Sequence, residues 1–228
     1  MSQFNLSKNI VKGEKFNLSK VNTGAPSGLT KVRIGLGWDP NETEDGPPFD
    51  LDVSAFAIDS NFKIPSSSYF VYYNQVNMGN GIDDEFEKDK FGKPLRRPKT
   101  MDGSIIGAID DPDGTRSDGD DDEDMIIYLD RVTQAVQQII IVVTICKYPD
   151  HEDPRTANLN FSMVNDCYIR IIDDVTKQEI VKYELQEKFG KEDAVQFGRL
   201  YRVGGNWEFE AMGSGSEGGL AALVDIYA

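Results

Sequence analysis

Nine of the fifteen residues from Asp110 to Asp124 are carboxylic acids, set against a single base, Arg116. Two carboxylates about 4 Å apart repel by roughly 1–4 kcal/mol at dielectrics between bulk water and a protein surface. A folded loop that gathers several of them therefore calls for a cation. All-oxygen ligands, with no thiolate or imidazole among them, select a hard one, calcium before magnesium. The competing reading is a solvated acidic block, the ordinary fate of a charge run. Gly114 and Gly119 interrupt this run, and it feeds directly into an apolar strand, Met125 to Leu129, which favours a built loop. A second pair, Asp50 and Asp52, stands two residues apart in FDLDVSAFA. That spacing sends both carboxylates to one face of a strand while Leu51 turns into the core. Plain alternation against solvent would give the same pattern.

Neither segment is an EF-hand, which needs oxygen donors at loop positions 1, 3 and 5, Gly at 6 and Glu at 12. With Gly114 sixth, Ile109 falls first; with Gly46 sixth, Thr43 is a weak donor and the short Asp52 closes the loop. A β-sandwich offers another geometry, in which loops from one end converge on the ion.

Other chemistry finds little footing. His151 is the one histidine, which excludes multi-histidine zinc sites and leaves a Ser-His-Asp triad dependent on that loop. No GxSxG precedes a helix, and no GxxxxGK[ST] phosphate loop occurs. Acid pairs of glycosidase type are too numerous here to be specific. The expectation is a protein that is not an enzyme.

A net charge of −15 and a pI near 4.5 speak against a nucleic-acid partner, which needs a basic stripe. The basic cluster from Lys93 to Lys99, with Arg96 and Arg97, follows a run of acids and reads as a solvated loop. No run of 18 apolar residues exists, and Met1 to Lys12 lacks a signal-peptide core, so no membrane insertion and a cytoplasmic location are expected. Cys146 and Cys167 sit in apparent strands and read as reduced thiols of an intracellular protein.

The elements that must position the acids are short strands. Alternating or β-branched runs occur at Thr30–Leu36, Phe49–Ala57, Tyr69–Tyr73, Met125–Leu129, Ile139–Cys146, Cys167–Ile172, Glu179–Leu185, Val195–Val203 and Trp207–Met212. Ile139–Cys146 is nearly continuous in β-branched residues and reads as a central strand buried on both faces. FNLSK at 4–8 recurs at 16–20, which suggests a hairpin or two adjacent edge strands. In GLAALVDIYA, Leu220, Leu223, Val224 and Tyr227 fall at helical spacing. The fold class expected is all-β, a two-sheet β-sandwich with a short C-terminal helix, in one domain over 1–228 with a charged loop inserted at about 76–99.

These pieces together resemble the TerD family of tellurite-resistance and stress-response proteins. The resemblance rests on LSK at 6–8 and 18–20, GLTKVRIGLGWD at 28–39, FDLDVSAF at 49–56 and YNQ at 73–75. It continues through the acidic block, IIIVVTI at 139–145, NFSMVNDCYIRIID at 160–173 and FGRLYRVGGNWEFEAMGSGSEGGLAAL at 197–223. It implies a non-catalytic sandwich that binds calcium, more than one ion, through acidic loops. By position the implied ligands are Asp39, Asp50, Asp52 and Asn74, with Asp110, Asp121, Asp122 and Glu123 from the acidic loop. The family's acidic motif normally begins Gly-Asp-Asn; here Ile109 stands in the glycine position and extra residues follow. The implied partners are other proteins, either family members or a membrane-associated resistance complex, with a homo-oligomer as a further option. The alternative is a structural or interaction protein, such as a phage-borne assembly component, built on the same fold.

Overall fold

The computed structural model describes residues 7–21, 29–41, 46–75, 97–109, 111, 121–147 and 153–228. Among them lie β1 (Lys8–Ile10), β2 (Lys15–Asn17), β3 (Lys31–Gly37), β4 (Leu51–Ile58), β5 (Phe70–Val71) and β6 (Ile105–Ile106). Then follow β7 (Glu123–Tyr128), β8 (Gln138–Ile145), β9 (Tyr168–Asp173), β10 (Glu179–Glu184), β11 (Ala194–Val203), β12 (Asn206–Ser216) and α1 (Gly219–Tyr227). The first sheet runs β1-β10-β9-β3-β7-β6 and the second β2-β12-β11-β8-β4-β5. Every neighbouring pair is antiparallel except β1 with β10. This is the two-sheet all-β fold with a C-terminal helix that the strand pattern predicts.

The sheets face each other across one apolar cluster. Ile34 and Leu36 of β3 and Met125 and Ile127 of β7 meet Val53 and Ala55 of β4 and Ile141 and Val143 of β8 there. The alternate residues of β4 and β8, Phe56, Ile58, Ile140 and Val142, form a second layer outside the second sheet, covered by Leu223 and Tyr227 of α1. β8 is therefore apolar on both faces because one faces the sheet opposite and the other faces the helix.

Two local expectations are corrected. The FNLSK copies do not pair: β1, which begins at the last residue of the first copy, joins β10, whereas β2 joins β12 in the other sheet. The second copy's LSK is a 3-10 turn, and the residues of the first copy before Ser7 lie outside the described residues. A repeated pentapeptide fixes alternation but not which edge each copy finds. The basic cluster is not all solvated either. Residues 76–96 lie outside the described residues, but Arg97 pairs with Asp124 at 2.7 Å, and Lys99 is buried and bridged to Ile106.

Candidate metal centre

Strand direction brings the acids to one end of the sandwich. In the first sheet, Leu36 near the end of β3 lies opposite Glu123 at the start of β7, and Gly37 lies opposite Tyr168 at the start of β9. In the second, Leu51 at the start of β4 lies opposite Ile145 at the end of β8. Two contacts tie the sheets together at this pole. The Trp38 indole N–H donates to the Phe49 carbonyl at 3.1 Å, and Glu123 Oε2 accepts the Val53 N–H at 2.8 Å. β5 reaches β4 only at Ala55 and Phe56, so the Glu123 carboxylate takes over where that short strand stops.

Asp50 and Asp52 are 3% and 2% exposed, so this pair is not the solvent face that simple alternation would give. Leu51 and Val53 enter the inter-sheet core, which turns Asp52 to the outer face with Ser54 and Phe56. The Asp50 carbonyl accepts the Cys146 N–H at 2.8 Å, which holds the end of β8 against the start of β4. Tyr73 lies in the same field. Burial, the Cys146 sulfur and the charges of Asp52 and Asp50 together push its hydroxyl up to about 12. Gln75, two residues on, is 6% exposed, and neither end of its side-chain amide makes a hydrogen bond. A buried amide oxygen of this kind is a standard calcium donor.

The remaining predicted ligands divide. Asp122 Oδ2 accepts the Trp38 N–H at 3.0 Å, and its own N–H donates to the Leu36 carbonyl, so it is stapled to the end of β3. Asp121 Oδ1 sits 2.7 Å from Arg170 Nε and 3.2 Å from the Tyr168 hydroxyl. Gly35 makes that possible, since a Cβ there would run into the Asp121 carboxylate. Glu123 is buried, and Asp111, also buried, donates its N–H to Glu123 Oε1 at 3.4 Å. Asp39 donates its N–H to the Asn165 carbonyl and is partly buried, while Asn74 is exposed in the turn after β5. Asp110 lies outside the described residues, as do 112–120.

Among the described residues no three His, Cys, Asp or Glu side chains converge closely enough to hold an ion by themselves. The donor chemistry nevertheless suits a hard cation: carboxylate, amide and carbonyl oxygens at a buried pole, where Asp111, Asp122 and Glu123 of the acid-rich run also lie. Sequence reasoning missed Tyr73, Gln75 and Cys146. The YNQ triplet was the available signal for the first two, and only the β4–β8 register brings in the third.

A two-sheet sandwich with buried acids at one pole and a helix across the second sheet is thus the class of protein this chain defines. The TerD domain matches residues 6–227, and the chain belongs to the TerD family. It is 35% identical over 218 residues to general stress protein 16U of Bacillus subtilis (strain 168), covering 96% of this chain and 95% of that one. It is 36% identical over 222 residues to tellurium resistance protein TerD of Serratia marcescens, covering 97% of each. A crystal structure of a telluride resistance protein (TerD) homologue from Streptomyces coelicolor A3(2) superposes with a TM-score of 0.56 at 20% identity, over 86% of this chain and 96% of that one. That last likeness concerns the fold alone. No helix among the described residues is long and apolar enough to cross a membrane.

Proposed function

We propose that this protein is a non-catalytic calcium-binding member of the TerD family that acts in tellurite or general stress resistance by assembling with other proteins in the cytoplasm. The observation that carries the reading is the burial of Asp50 and Asp52 two residues apart at a pole that also holds Asp111, Asp122 and Glu123. Two carboxylates removed from water at that spacing repel unless a cation offsets them. Asp50 and Asp52, with the Gln75 amide oxygen, form the buried floor of the site. Asp39, Asn74 and Asp122 close it from the loops, Asp110 joins them as a ligand by the family resemblance, and more than one ion is expected. Asp121 and Glu123 brace the pole through Arg170 and the Val53 N–H. The names of the relatives, resistance and stress proteins, support the physiological half, and two cysteines outside any disulfide suit a reducing compartment.

Titration calorimetry of the full chain against calcium is expected to give micromolar or tighter binding. A ligand that binds only the folded state adds about 2.7 kcal/mol of stability at a hundredfold excess over Kd. Melting temperature should therefore rise by several degrees between EDTA and millimolar calcium. The double variant D50N/D52N should fold, lose most of that rise and melt higher than wild type in EDTA, because its repulsion is gone. No heat and no stabilisation at millimolar calcium would end the metal half of the proposal.

A further inference from the structure

At the pole opposite the acids, between the starts of β3 and β8 and the β11–β12 turn, the mouth of the sandwich is a cavity of about 420 Å³. Trp207, 7% exposed, closes its inner side and donates its indole N–H to the Leu129 carbonyl at 3.2 Å. The Arg202 guanidinium lies over that ring at 4.3 Å. Its Nε donates to the Val136 carbonyl at 3.0 Å and its Nη2 to the Val132 carbonyl at 2.9 Å. These bonds use two of the five guanidinium N–H groups. Both hydrogens on Nη1 and the second on Nη2 make no hydrogen bond to any of the described residues.

That no carboxylate of the described residues bonds Arg202 is informative in a chain with 39 acids. Among the described residues, the other partly buried arginines, Arg33, Arg97, Arg170 and Arg199, each hold a carboxylate. Arg202 holds only neutral carbonyls, because Glu208 and Glu210 project from the other face of β12, where they meet Tyr201 and Arg199. Burial lowers its pKa. A partly desolvated guanidinium with three spare donors is an anion receptor. Leu18, Leu29 and Val132 add an apolar wall to the same cavity, and Thr30 and Asn206 add polar groups.

We propose that this cavity binds a small organic oxyanion, a carboxylate or phosphate monoester, whose charged end sits on the Nη1 edge of Arg202 and whose apolar body rests on Leu18, Leu29 and Val132. The volume far exceeds that of bare phosphate, which is why an organic body is part of the proposal. The exposed Asp130 at the rim opposes an anion, but as a screened surface charge.

The test is an NMR titration of the full chain with phenyl phosphate, benzoate, inorganic phosphate and, as a neutral control, phenol. The chain has two tryptophans, so two indole N–H signals report on opposite poles, and Trp38→Phe assigns them. Phenyl phosphate or benzoate should move the Trp207 signal and leave that of Trp38 in place; which of the two binds tighter identifies the oxyanion. Inorganic phosphate should bind roughly tenfold more weakly and phenol not at all. Arg202→Ala should weaken binding by about tenfold or more. Since that change also frees two loop carbonyls, Asn206→Asp serves as a second variant that adds a negative charge while leaving Arg202 in place, and it should weaken binding similarly. Asp130→Asn should tighten it. No Trp207 shift with either organic anion at 10 mM, or unchanged affinity in a folded Arg202→Ala or Asn206→Asp, overturns the proposal. Equal binding of inorganic phosphate and phenyl phosphate overturns its organic half. Calcium binding is read at the other pole, so failure of either proposal leaves the other standing.

Discussion

Asp174, just past the end of β9, gathers three cations: Lys31 at 2.5 Å, Lys177 at 2.7 Å and Arg33 at 2.9 Å. Burial alone would raise its carboxyl pKa, but hydrogen bonds from Lys177, Lys31 and Arg33 outweigh that and hold it well below the usual carboxylate range. Asp174→Asn keeps the shape and removes the charge, and should cost about 2 kcal/mol, the scale of hydrogen bonds to charged groups. The sign of the pH dependence follows from a depressed folded pKa. The stabilisation is complete above the unfolded value near 4 and is lost as pH falls towards the folded one. Urea melts from pH 7 to pH 3 should show a constant gap between wild type and Asp174→Asn above about pH 5, narrowing below about pH 4. A gap that widens in acid would contradict the assignment. The two tryptophans make a related point. Each is buried, one at either pole, and each donates its indole N–H to a carbonyl of a segment flanking the opposite sheet. A residue that is large and apolar, with one donor at its edge, can seal a sandwich end and still satisfy its N–H.

At the scale of elements, α1 is legible in sequence as an amphipathic stripe, but its anchorage is not. Gly218, in the left-handed region at φ 96°, turns the chain off β12 and caps the helix without a side chain. The first helical N–H, that of Gly219, is instead taken at 2.8 Å by Asp193, 26 residues earlier in the chain. The Lys147 ammonium lies 2.8 Å from the other oxygen of Asp193. At the far end, Tyr227 donates to Gln196 Oε1 at 2.6 Å, and its carbonyl accepts the Ile64 N–H. Leu223 is fully buried between the helix and the outer face of β4 and β8. Leu223→Ala should cost about 3 kcal/mol and lower the melting temperature by roughly 6–12 °C, the usual scales for a core truncation in a domain of this size. A loss below about 1 kcal/mol would mean that α1 is not firmly docked.

For the whole molecule, charge is segregated in kind rather than simply in excess. The outer face of the first sheet is laced with ion pairs, Arg33 and Arg97 on Asp124 and Arg170 on Asp121 and Glu179, so acids there are neutralised internally. Asp50, Asp52, Asp111 and Glu123 instead lie buried, with the partly buried Asp122, at the acidic pole of a chain whose net charge is −15. Screening should therefore act there first. In EDTA, raising NaCl from about 0.05 to 0.3 M shortens the Debye length from roughly 14 to 6 Å and should raise the melting temperature by a few degrees. In millimolar calcium the same salt step should do much less. A melting temperature that falls with salt would place the dominant electrostatics in the sheet-face ion pairs instead.

Sequence alone determined most of the strands (though not the two-residue β6), the two-faced burial of β8, the C-terminal helix, the family and the acids at issue, because alternation, β-branching and local charge density are written residue by residue. The tertiary structure decided the rest. It put the two FNLSK copies on different sheets, buried Asp52 although its neighbours alternate like a solvent-facing strand, and assigned Asp121 to Arg170. It also set Arg202 over Trp207 at a pole that no motif marks. These depend on which strand ends meet across the sandwich and on which face a helix covers. Such contacts join residues up to 201 apart in the chain, as the Lys12 ammonium meets the Gly213 carbonyl, and no local pattern encodes them.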